Sequence, residues 1–583
     1  MFIAGSAFAT VDAFTIPVQD GIYDDIDALY IMTGKALPSA SRPWNWGEAD
    51  EILSGIDLEE LNDSEKAVWD SARKNLDEMQ PRWTLDDRFS VGLNLIIAPE
   101  IYTHTNGEDF TMDTDWAYTY DERPVAANGT LDLGFRNWFY TYSEFSFAIS
   151  RYQQKDMVMY DPALDYPSGI GAIVPPNQDG AAGSWDAWVP KSTHLWRNTF
   201  STNIPALVDV YDIDFTFPKR ALISFGDASW SLLFGRERMN WGHSHVGNFT
   251  IDDHVGYHEV LRLTMQGKKF KYDWTNLFLE TLPKLDEDLP LGTDYKSERA
   301  DGVPDTFKVM MNHRLEYSPW DFIRIAITES IMYRGKAFEV QDFNPAFIYH
   351  QLNNRTMFNS LASIEAYVTP YKGINLYFEF GLDNATLANE GNSQADASGW
   401  LLGLDYTIAL GKGYLQASGE FATTSPIMYR RDYVDFLMLQ RQYTLGADYG
   451  NSTPKLYYIG FPYGPDAQVF HLGAKYRMPG TFTVGLDFNY VIKGGVDMFE
   501  SHNKDRNNNG KANLMGKTPT DGGSKNFELF LYGSYELPEW TRYVDMSVDA
   551  TLAWVGKDGQ ILGRDTFDNA QDVQFSLGFT VKI

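Results

Sequence analysis

From about residue 86 to the C-terminus, apolar and polar residues alternate with a period of two, which is the repeat of a β-strand. In TFTVGLDFNYV, for example, Phe482, Val484 and Leu486 share one face, whereas the residues between them are polar or glycine. Each predicted strand therefore has one apolar face and one polar, often charged face. The same alternation recurs in 374–383, 400–408, 544–554 and 573–583.

Strand length and loop length favour a transmembrane barrel over a soluble sandwich. The alternating segments hold about 9–12 residues, enough to cross a bilayer when tilted, whereas strands of soluble folds average about five or six. Connections alternate between short and long, and outer-membrane barrels have short periplasmic turns and long external loops. The predicted short turns are 217–220, 267–269, 318–320, 370–373, 411–413, 478–480 and 537–540, and the predicted long loops are 240–257, 282–306, 333–358, 384–398, 423–467, 493–525 and 556–571.

The pattern predicts an all-β membrane protein, an antiparallel transmembrane β-barrel of about 18 strands. About 15 strands follow residue 204, and three more are predicted near 88–100, 127–136 and 138–150. An even number of strands closes the sheet. The last segment alternates up to Ile583, as expected of a strand that closes the wall.

Residues 20–85 follow a helical period and predict a small α-helical domain ahead of the barrel, which spans 86–583. Asn62 followed by Glu65 fits an N-terminal capping box. Because so short a unit buries little surface by itself, we expect it to dock against the barrel.

Residues 1–19 are interpreted as a residual signal peptide and N-terminal lead. The sequence AFA at 7–9 resembles the end of a secretory signal peptide, although no Lys or Arg precedes Lys35. The alternative is an ordinary apolar N-terminal strand.

Composition narrows the class of protein further. The chain has no cysteine, which excludes disulfides and thiolate metal sites. It has no run of 18 apolar residues, which excludes transmembrane helices. The net charge of -31 argues against nucleic acid as a partner, because phosphate binding requires basic patches.

The stretch SLLFGRERMNWGHSHVGNF begins like a strand and then becomes polar. Arg236 and Arg238 share the parity of the lipid-facing residue Phe234, and charge is costly in lipid. Either the membrane boundary lies near Gly235, or Gly235 forms a bulge that turns both arginines inward. Both alternatives place four residues at the barrel rim: Arg236, Glu237, Arg238 and Trp241.

Two groups of residues are candidates for metal binding. His243, His245, His254 and His258 are close in sequence, but their spacing matches no helical ligand motif, and a solvated loop is the favoured interpretation. DRNNNG resembles the opening of a calcium loop but lacks the closing glutamate, so a plain turn is favoured. Its candidate ligands are Asp505, Asn507 and Asn509.

Charged residues recur on the predicted inward face of the barrel. The favoured interpretation is an interior network of ion pairs and water, and the alternatives are a selectivity lining or glycosidase chemistry by separated carboxylates. The residues are Arg262, Arg314, Glu316, Arg324, Glu379, Asp405, Glu420, Asp487, Asp545 and Asp549.

Aromatic residues in the long loops are candidates for sugar contacts, because sugar C–H faces stack on aromatic rings and hydroxyls require polar partners. The alternative is that these rings pack the loops together or form the interface girdle. The candidates are Tyr160, Tyr166, Trp185 and Trp188 in loop 151–203, and Tyr429, Arg430, Arg431 and Tyr433 in loop 423–467.

Five segments carry a resemblance to a known family: LFGRERMNWG (233–242), HRLEYSPWDFIRIAITESIMYRG (313–335), FNPAFIYH (343–350), LYFEFGLDN (376–384) and FPYGPDAQVFHLGAKY (461–476). In order and spacing they resemble the outer-membrane capsule-assembly lectin family known as Wzi. The resemblance covers nearly the whole chain. The chain departs from the family in its long loops 151–203 and 423–467. It implies an 18-stranded barrel with a helical bundle on the periplasmic side, binding of surface polysaccharide, and no chemistry.

The first hypothesis is therefore a non-catalytic barrel in the outer membrane of a diderm bacterium that binds or anchors surface polysaccharide. The alternatives are a pore for small solutes and an outer-membrane hydrolase that uses the histidine-rich region. No cofactor is expected. The expected partners are outer-membrane lipid, surface polysaccharide, and periplasmic or outer-membrane proteins that contact residues 20–85.

Overall fold

A computed structural model describes most of the chain. The described residues are 10–80, 83–85, 88–110, 117, 124–149, 157–160, 173–174, 188–190, 199–204, 213–215, 218–279, 307–335, 343–346, 348–349, 358–384, 397–431, 434–443, 452–496, 518–538, 544–560 and 566–583.

Strands dominate the described residues, and all helices lie near the N-terminus. The helices are α1 (Ile22–Thr33), α2 (Trp46–Ser54), a 3-10 helix (Leu58–Glu60) and α3 (Asp63–Glu78). None of the helices in the described part of the chain is long and apolar enough to cross a membrane. The strands are β1 (Ser41–Arg42), β2 (Trp83–Thr84), β3 (Phe89–Ile97), β4 (Glu100–His104), β5 (Ala127–Phe135), β6 (Phe139–Ile149), β7 (Met157–Tyr160), β8 (Ile173–Val174), β9 (Trp188–Pro190), β10 (Phe200–Thr202), β11 (Ile213–Phe215), β12 (Ala221–Asp227), β13 (Trp230–Glu237), β14 (Asn240–Trp241), β15 (His258–Gly267), β16 (Phe270–Leu279), β17 (Phe307–Trp320), β18 (Ile323–Gly335), β19 (Phe358–Tyr371), β20 (Ile374–Asn384), β21 (Ala397–Leu410), β22 (Gly413–Thr424), β23 (Leu437–Tyr443), β24 (Ser452–Tyr458), β25 (Ala467–Met478), β26 (Phe482–Lys493), β27 (Ser524–Glu536), β28 (Asp545–Gly559) and β29 (Phe567–Lys582).

The wall is a closed antiparallel barrel of 18 strands. β3 and β4 follow each other along one wall strand, and β11 and β12 along another, because each pair contacts the same neighbour. β29 closes the wall by pairing with β3 and β4, for example Val581 with Ile97 and Leu577 with Ile101. The predicted strand number is confirmed.

The short connections lie at one end of the barrel. The predicted turn at 318–320 falls within β17, just ahead of the actual turn at 321–322, and another was predicted in the wrong place. The predicted turn at 217–220 is an interruption between β11 and β12, and the chain actually turns after Asp227, where the Ser229 amide donates to Asp227 Oδ1 at 2.7 Å. Pro218 explains the error, because proline lacks an N–H and resembles a turn signal whether it ends a strand or interrupts one.

The two faces of the wall differ as a membrane requires. The outward side chains are apolar and exposed on the long strands, as at Leu402 (54%), Leu486 (47%) and Trp554 (45%). The inward side chains are polar or charged, and many are buried, as at Arg314 and Asn375. A closed barrel that is apolar outside and polar inside is the outer-membrane architecture, so the protein is an outer-membrane β-barrel.

The helical unit forms as its sequence predicts, and it begins earlier. The Asn62 side chain accepts from the Glu65 amide at 3.0 Å, and the Glu65 carboxylate accepts from the Asn62 amide at 2.9 Å, which completes the capping box. Val11 and Ile16 are buried in the same apolar cluster as the helices, so the folded unit extends ahead of residue 20. Residues 1–9, which include the predicted signal-peptide end, lie outside the described residues.

Candidate functional site

The N-terminal unit, residues 11–80, occupies the barrel end that carries the short turns, and we call it the plug. The Ala36 amide donates to the Asp321 carbonyl at 2.8 Å, and the Gly373 amide donates to the Ile31 carbonyl at 2.8 Å. Asp321 and Gly373 both belong to short turns. Short turns of outer-membrane barrels face the periplasm, so a periplasmic position for the plug stays a prediction.

Wall cations hold the plug by its acidic side chains. Arg477 Nε donates to Asp25 Oδ1 at 2.7 Å, and Lys271 Nζ donates to Glu48 Oε1 at 2.6 Å. Both carboxylates are buried. Removing either partner would leave a buried charge uncompensated, so these pairs fix where the plug is seated.

The segment 238–257 folds into the lumen, and we call it the inward loop. Its strand β14 pairs with β1 of the plug. Trp241, Phe249 and Ile251 are each 0% exposed, and the Phe249 amide donates to the Glu379 carboxylate at 3.1 Å. The prediction of a solvated external loop is therefore wrong. Burial of these apolar side chains stabilises the folded loop by more free energy than the loop loses when it leaves water.

The histidines of this region bind separate partners. His243 Nδ1 lies 3.1 Å from Asp27 Oδ2, and His245 Nε2 lies 2.9 Å from Asp405 Oδ1. Among the described residues, no group of three or more metal-ligating side chains is arranged to hold a metal ion. The other predicted ligands lie outside the described residues: Asp505, Asn507 and Asn509.

His245 joins the inward loop to the wall. Its ring stacks on His471 with centroids 5.2 Å apart, and its backbone amide donates to Glu420 Oε2 at 3.0 Å. Burial lowers the pKa of His245, but the adjacent carboxylates of Asp405 and Glu420 outweigh this effect and raise the pKa to about 9. The imidazole is therefore cationic at neutral pH.

The structure decides between the two alternatives for Arg236. Gly235 pairs in continuous register with Leu222 and Val260, so it forms no bulge. Arg236 stays on the outward face, where it makes an ion pair with Glu259 on the neighbouring strand. This geometry fits a membrane boundary near Gly235.

The other predicted rim residues contact the interior. Glu237 is buried and accepts from Arg220 Nε at 2.5 Å. Arg238 Nε donates to the Gly256 carbonyl of the inward loop at 3.1 Å. Trp241 packs in the lumen, so of the four residues only Arg236 lies on the outer face.

Several of the predicted lumen residues are joined by ion pairs or hydrogen bonds inside the barrel. Arg314 Nε donates to Glu316 Oε1 at 3.0 Å, and Arg324 Nη1 donates to Glu316 Oε2 at 3.1 Å. Glu379 and Asp405 accept hydrogen bonds from the inward loop. These contacts support the interpretation of an interior ion-pair network.

The two loops predicted to contact sugar approach each other outside the barrel. β9 of the first loop contacts β24 of the second. Tyr160 is the last residue of the short strand β7, and Trp188 is the first residue of β9. The remaining aromatic candidates lie outside the described residues: Tyr166, Trp185 and Tyr433.

The described candidates in the second loop have structural contacts. Tyr429 is fully buried, and its hydroxyl donates to the Phe249 carbonyl at 2.7 Å, so it supports the inward loop. Arg430 is also buried, and its Nη1 donates to the Pro426 carbonyl at 3.2 Å. The Arg431 guanidinium lies 5.3 Å from the ring centre of Phe358. A sugar-binding role for these residues stays a prediction.

The acidic residues that seat the plug were not predicted from the sequence. Asp25 lies on α1, whose other buried positions are apolar or aromatic except for Thr33 at its end, and it is 0% exposed. A charged residue on an otherwise apolar helix face requires a buried partner. That signal was available in IYDDIDALY, but the sequence does not show that Arg477 supplies the partner.

Solved structures of outer-membrane barrels resemble this fold. The chain is similar to Wzi of Escherichia coli, described as an outer-membrane protein involved in group 1 capsule assembly and as a carbohydrate-binding β-barrel. The two share 12% identity over 98% of this chain and 99% of that one, with a TM-score of 0.53. The chain has a Wzi-like fold.

Other solved barrels are less similar. OccD3 of Pseudomonas aeruginosa matches with 10% identity over 85% of this chain and 91% of that one, with a TM-score of 0.39. OprD of the same organism matches with 11% identity over 86% and 95%, with a TM-score of 0.36. No protein-family model matches the chain, and no curated protein matches its sequence.

Proposed function

We propose that this protein binds surface polysaccharide at the external end of its barrel and holds it there without catalysis. One observation carries the proposal: a single apolar cluster connects the plug to the external loops through the lumen. Leu29 of the plug, Trp241 and Phe249 of the inward loop, and Phe461 near β25 all belong to it. A barrel filled in this way displays loops well and passes solutes poorly.

The external loops supply a surface for a polymer. β23 and β24 extend one long loop as a hairpin, and β9 of the other long loop contacts it. Trp185 and Tyr433 from these loops would offer rings for stacking on sugars. The carbohydrate-binding description of the Wzi structure, which shares this fold, supports the same assignment.

The charge of the chain bears on the kind of polysaccharide. A net charge of -31 repels polyanions, so a neutral polymer, or an acidic one bridged by cations, fits best. Chelation of divalent cations distinguishes the two cases, because it should release the acidic polymer and leave the neutral polymer bound.

Glycan-array binding of the detergent-extracted protein tests the proposal. We expect the intact protein to bind polysaccharide, and Trp185→Ala to weaken binding about 10-fold, the scale for losing one well-packed aromatic contact. The matched control is Trp554→Ala on the lipid-facing wall, where the side chain is 45% exposed, and it should bind normally. Absence of binding by the intact protein, or equal loss in both variants, would contradict the proposal.

A pore is the second candidate, because one side of the lumen is polar and less tightly filled. The inward residues Asp487, Asn489 and Asp549 of β26 and β28 are only partly buried. A passage along these carboxylates would favour conduction of cations over anions. This alternative predicts a steady, cation-selective current that Asp487→Asn reduces.

A further inference from the structure

The outer wall carries charged and polar side chains at one height on five adjacent strands, and we call this set the polar step. Each residue lies seven to nine residues from the short turn of its strand. The strands β13, β15, β16, β17 and β18 are neighbours in the wall. The polar step consists of Arg236, Glu259, Asn276, His313 and Glu329.

The side-chain parity of these residues is outward. Arg236 shares a face with Phe234, which is 58% exposed, and Glu329 shares a face with Ile327, which is 56% exposed. No register shift separates Arg236 from Phe234 or Glu329 from Ile327. The polar step therefore lies on the outer side of the wall. Asn276 is fully buried there, and His313 and Glu329 contact Tyr349, so the exposed part of the step is the Arg236–Glu259 pair.

The opposite wall is apolar at the same height. Leu402 lies nine residues from its short turn at Gly411, as Glu259 does from its turn at Lys268. Phe380 and Leu472 lie seven residues from their turns and are also apolar. The apolar band is therefore shorter on the sector of β13 and β15–β18 than elsewhere.

Protein covers the outside of β16–β18 on both sides of the step, because the Tyr272 hydroxyl, nearer the short turn than Asn276, donates to the Pro345 carbonyl. Residues 343–346 and 348–349, which we call the flap, fold against the outside of the barrel. The Tyr349 amide donates to Glu329 Oε2 at 3.1 Å, and Trp274 Nε1 donates to the Tyr349 hydroxyl at 2.9 Å. The wall residues Met311 and Ile331 are consequently buried.

The ion pair of Arg236 and Glu259 lies beside the flap, and the Glu259 side chain remains 41% exposed. Seven residues of a strand tilted by about 40° rise about 18 Å, less than the apolar band of about 25 Å that outer-membrane barrels present. A full-thickness bilayer would bring hydrocarbon against this ion pair, which is unfavourable. A bilayer can instead thin locally at modest cost.

We propose that the outer leaflet is depressed over β13 and β15–β18, so that polar lipid headgroups contact the Arg236–Glu259 pair and the edge of the flap. The surface is an asymmetric lipid-binding sector. Ile348, which is 60% exposed on the flap, contacts the acyl chains beside it.

Spin-label accessibility tests this proposal, and the absence of native cysteine makes each label unique. Glu259→Cys and its height-matched control Leu402→Cys are labelled in full-length protein in phosphatidylethanolamine–phosphatidylglycerol vesicles, with and without lipopolysaccharide. We expect the label at 259 to collide mainly with a water-soluble nickel complex and the label at 402 mainly with oxygen. Equal depth of the two labels in hydrocarbon would overturn the proposal.

A second pair keeps the test decisive if Glu259→Cys fails to fold. Leu261→Cys and Leu404→Cys each lie seven residues from their turns, and both replace outward leucines. The label at 261 should lie closer to water than the label at 404. A label at 259 or 261 shielded from both collision partners would show a protein partner or second copy on this sector, which would also overturn the lipid assignment.

Discussion

At the residue scale, His245 shows how a single bound proton contributes to the stability of the filled lumen. Its pKa of about 9 in the folded protein exceeds the value of about 6.5 expected for an exposed histidine. The folded state therefore binds this proton more tightly than the unfolded state. The resulting stability is fully present below about pH 6.5 and is lost as the pH rises through about 9.

We expect the thermal midpoint of the intact protein to fall between pH 7 and pH 10, and His245→Gln to flatten that fall. At pH 7 the substitution should cost about 1–2 kcal/mol, the scale of a charge-assisted hydrogen bond. The midpoint is measured from the change in gel migration between the folded and the heat-unfolded barrel. His254→Gln is the matched control, because His254 contacts Asp252 instead of the wall, and it should keep the fall. An unchanged pH profile in His245→Gln would contradict this role.

At the scale of elements, the wall was predictable because its signal is local. Every wall strand must alternate in sequence to face lipid on one side, so β20 or β26 can be recognised without knowledge of its neighbours. The capping box of α3 is equally local. These signals supported the strand number, the helical unit and the closing strand.

The contents of the lumen were not predictable, because they depend on contacts between distant residues. Phe249 packs against Phe461, and its backbone is satisfied by distant residues: Glu379 of β20 accepts its amide hydrogen and the Tyr429 hydroxyl donates to its carbonyl. Nothing within 238–257 distinguishes such a loop from an external one except its apolar residues. The assignment of His243 and His245 to a solvated loop failed for the same reason.

The plug provides the prediction at this scale. Asp25→Asn removes the charge that Arg477 and the Tyr414 hydroxyl contact, and takes from the partly buried guanidinium its ion-pair partner. We expect the seating of the plug to weaken by about 3 kcal/mol, seen as a lower unfolding midpoint. Glu78→Gln breaks the exposed Lys74–Glu78 pair and should change stability by less than about 0.5 kcal/mol. Equal effects of the two substitutions would contradict the buried seating.

At the scale of the whole molecule, the protein has an apolar exterior, a polar inner wall and an apolar filling. The filling is unusual for a barrel interior, and it arises because the plug and the inward loop bring their own apolar side chains between the charged walls. The charged wall positions then bind the plug and the loop. This arrangement supports the proposed display of the external loops.

Ion conductance of the intact protein in planar bilayers tests whether the lumen is filled. We expect no steady current steps at neutral pH, because the lumen is occupied from the plug to Phe461. Asp25→Asn, with its loosened plug, should show occasional openings under the same conditions. Stable, long-lived open steps from the intact protein would contradict the account and favour the pore.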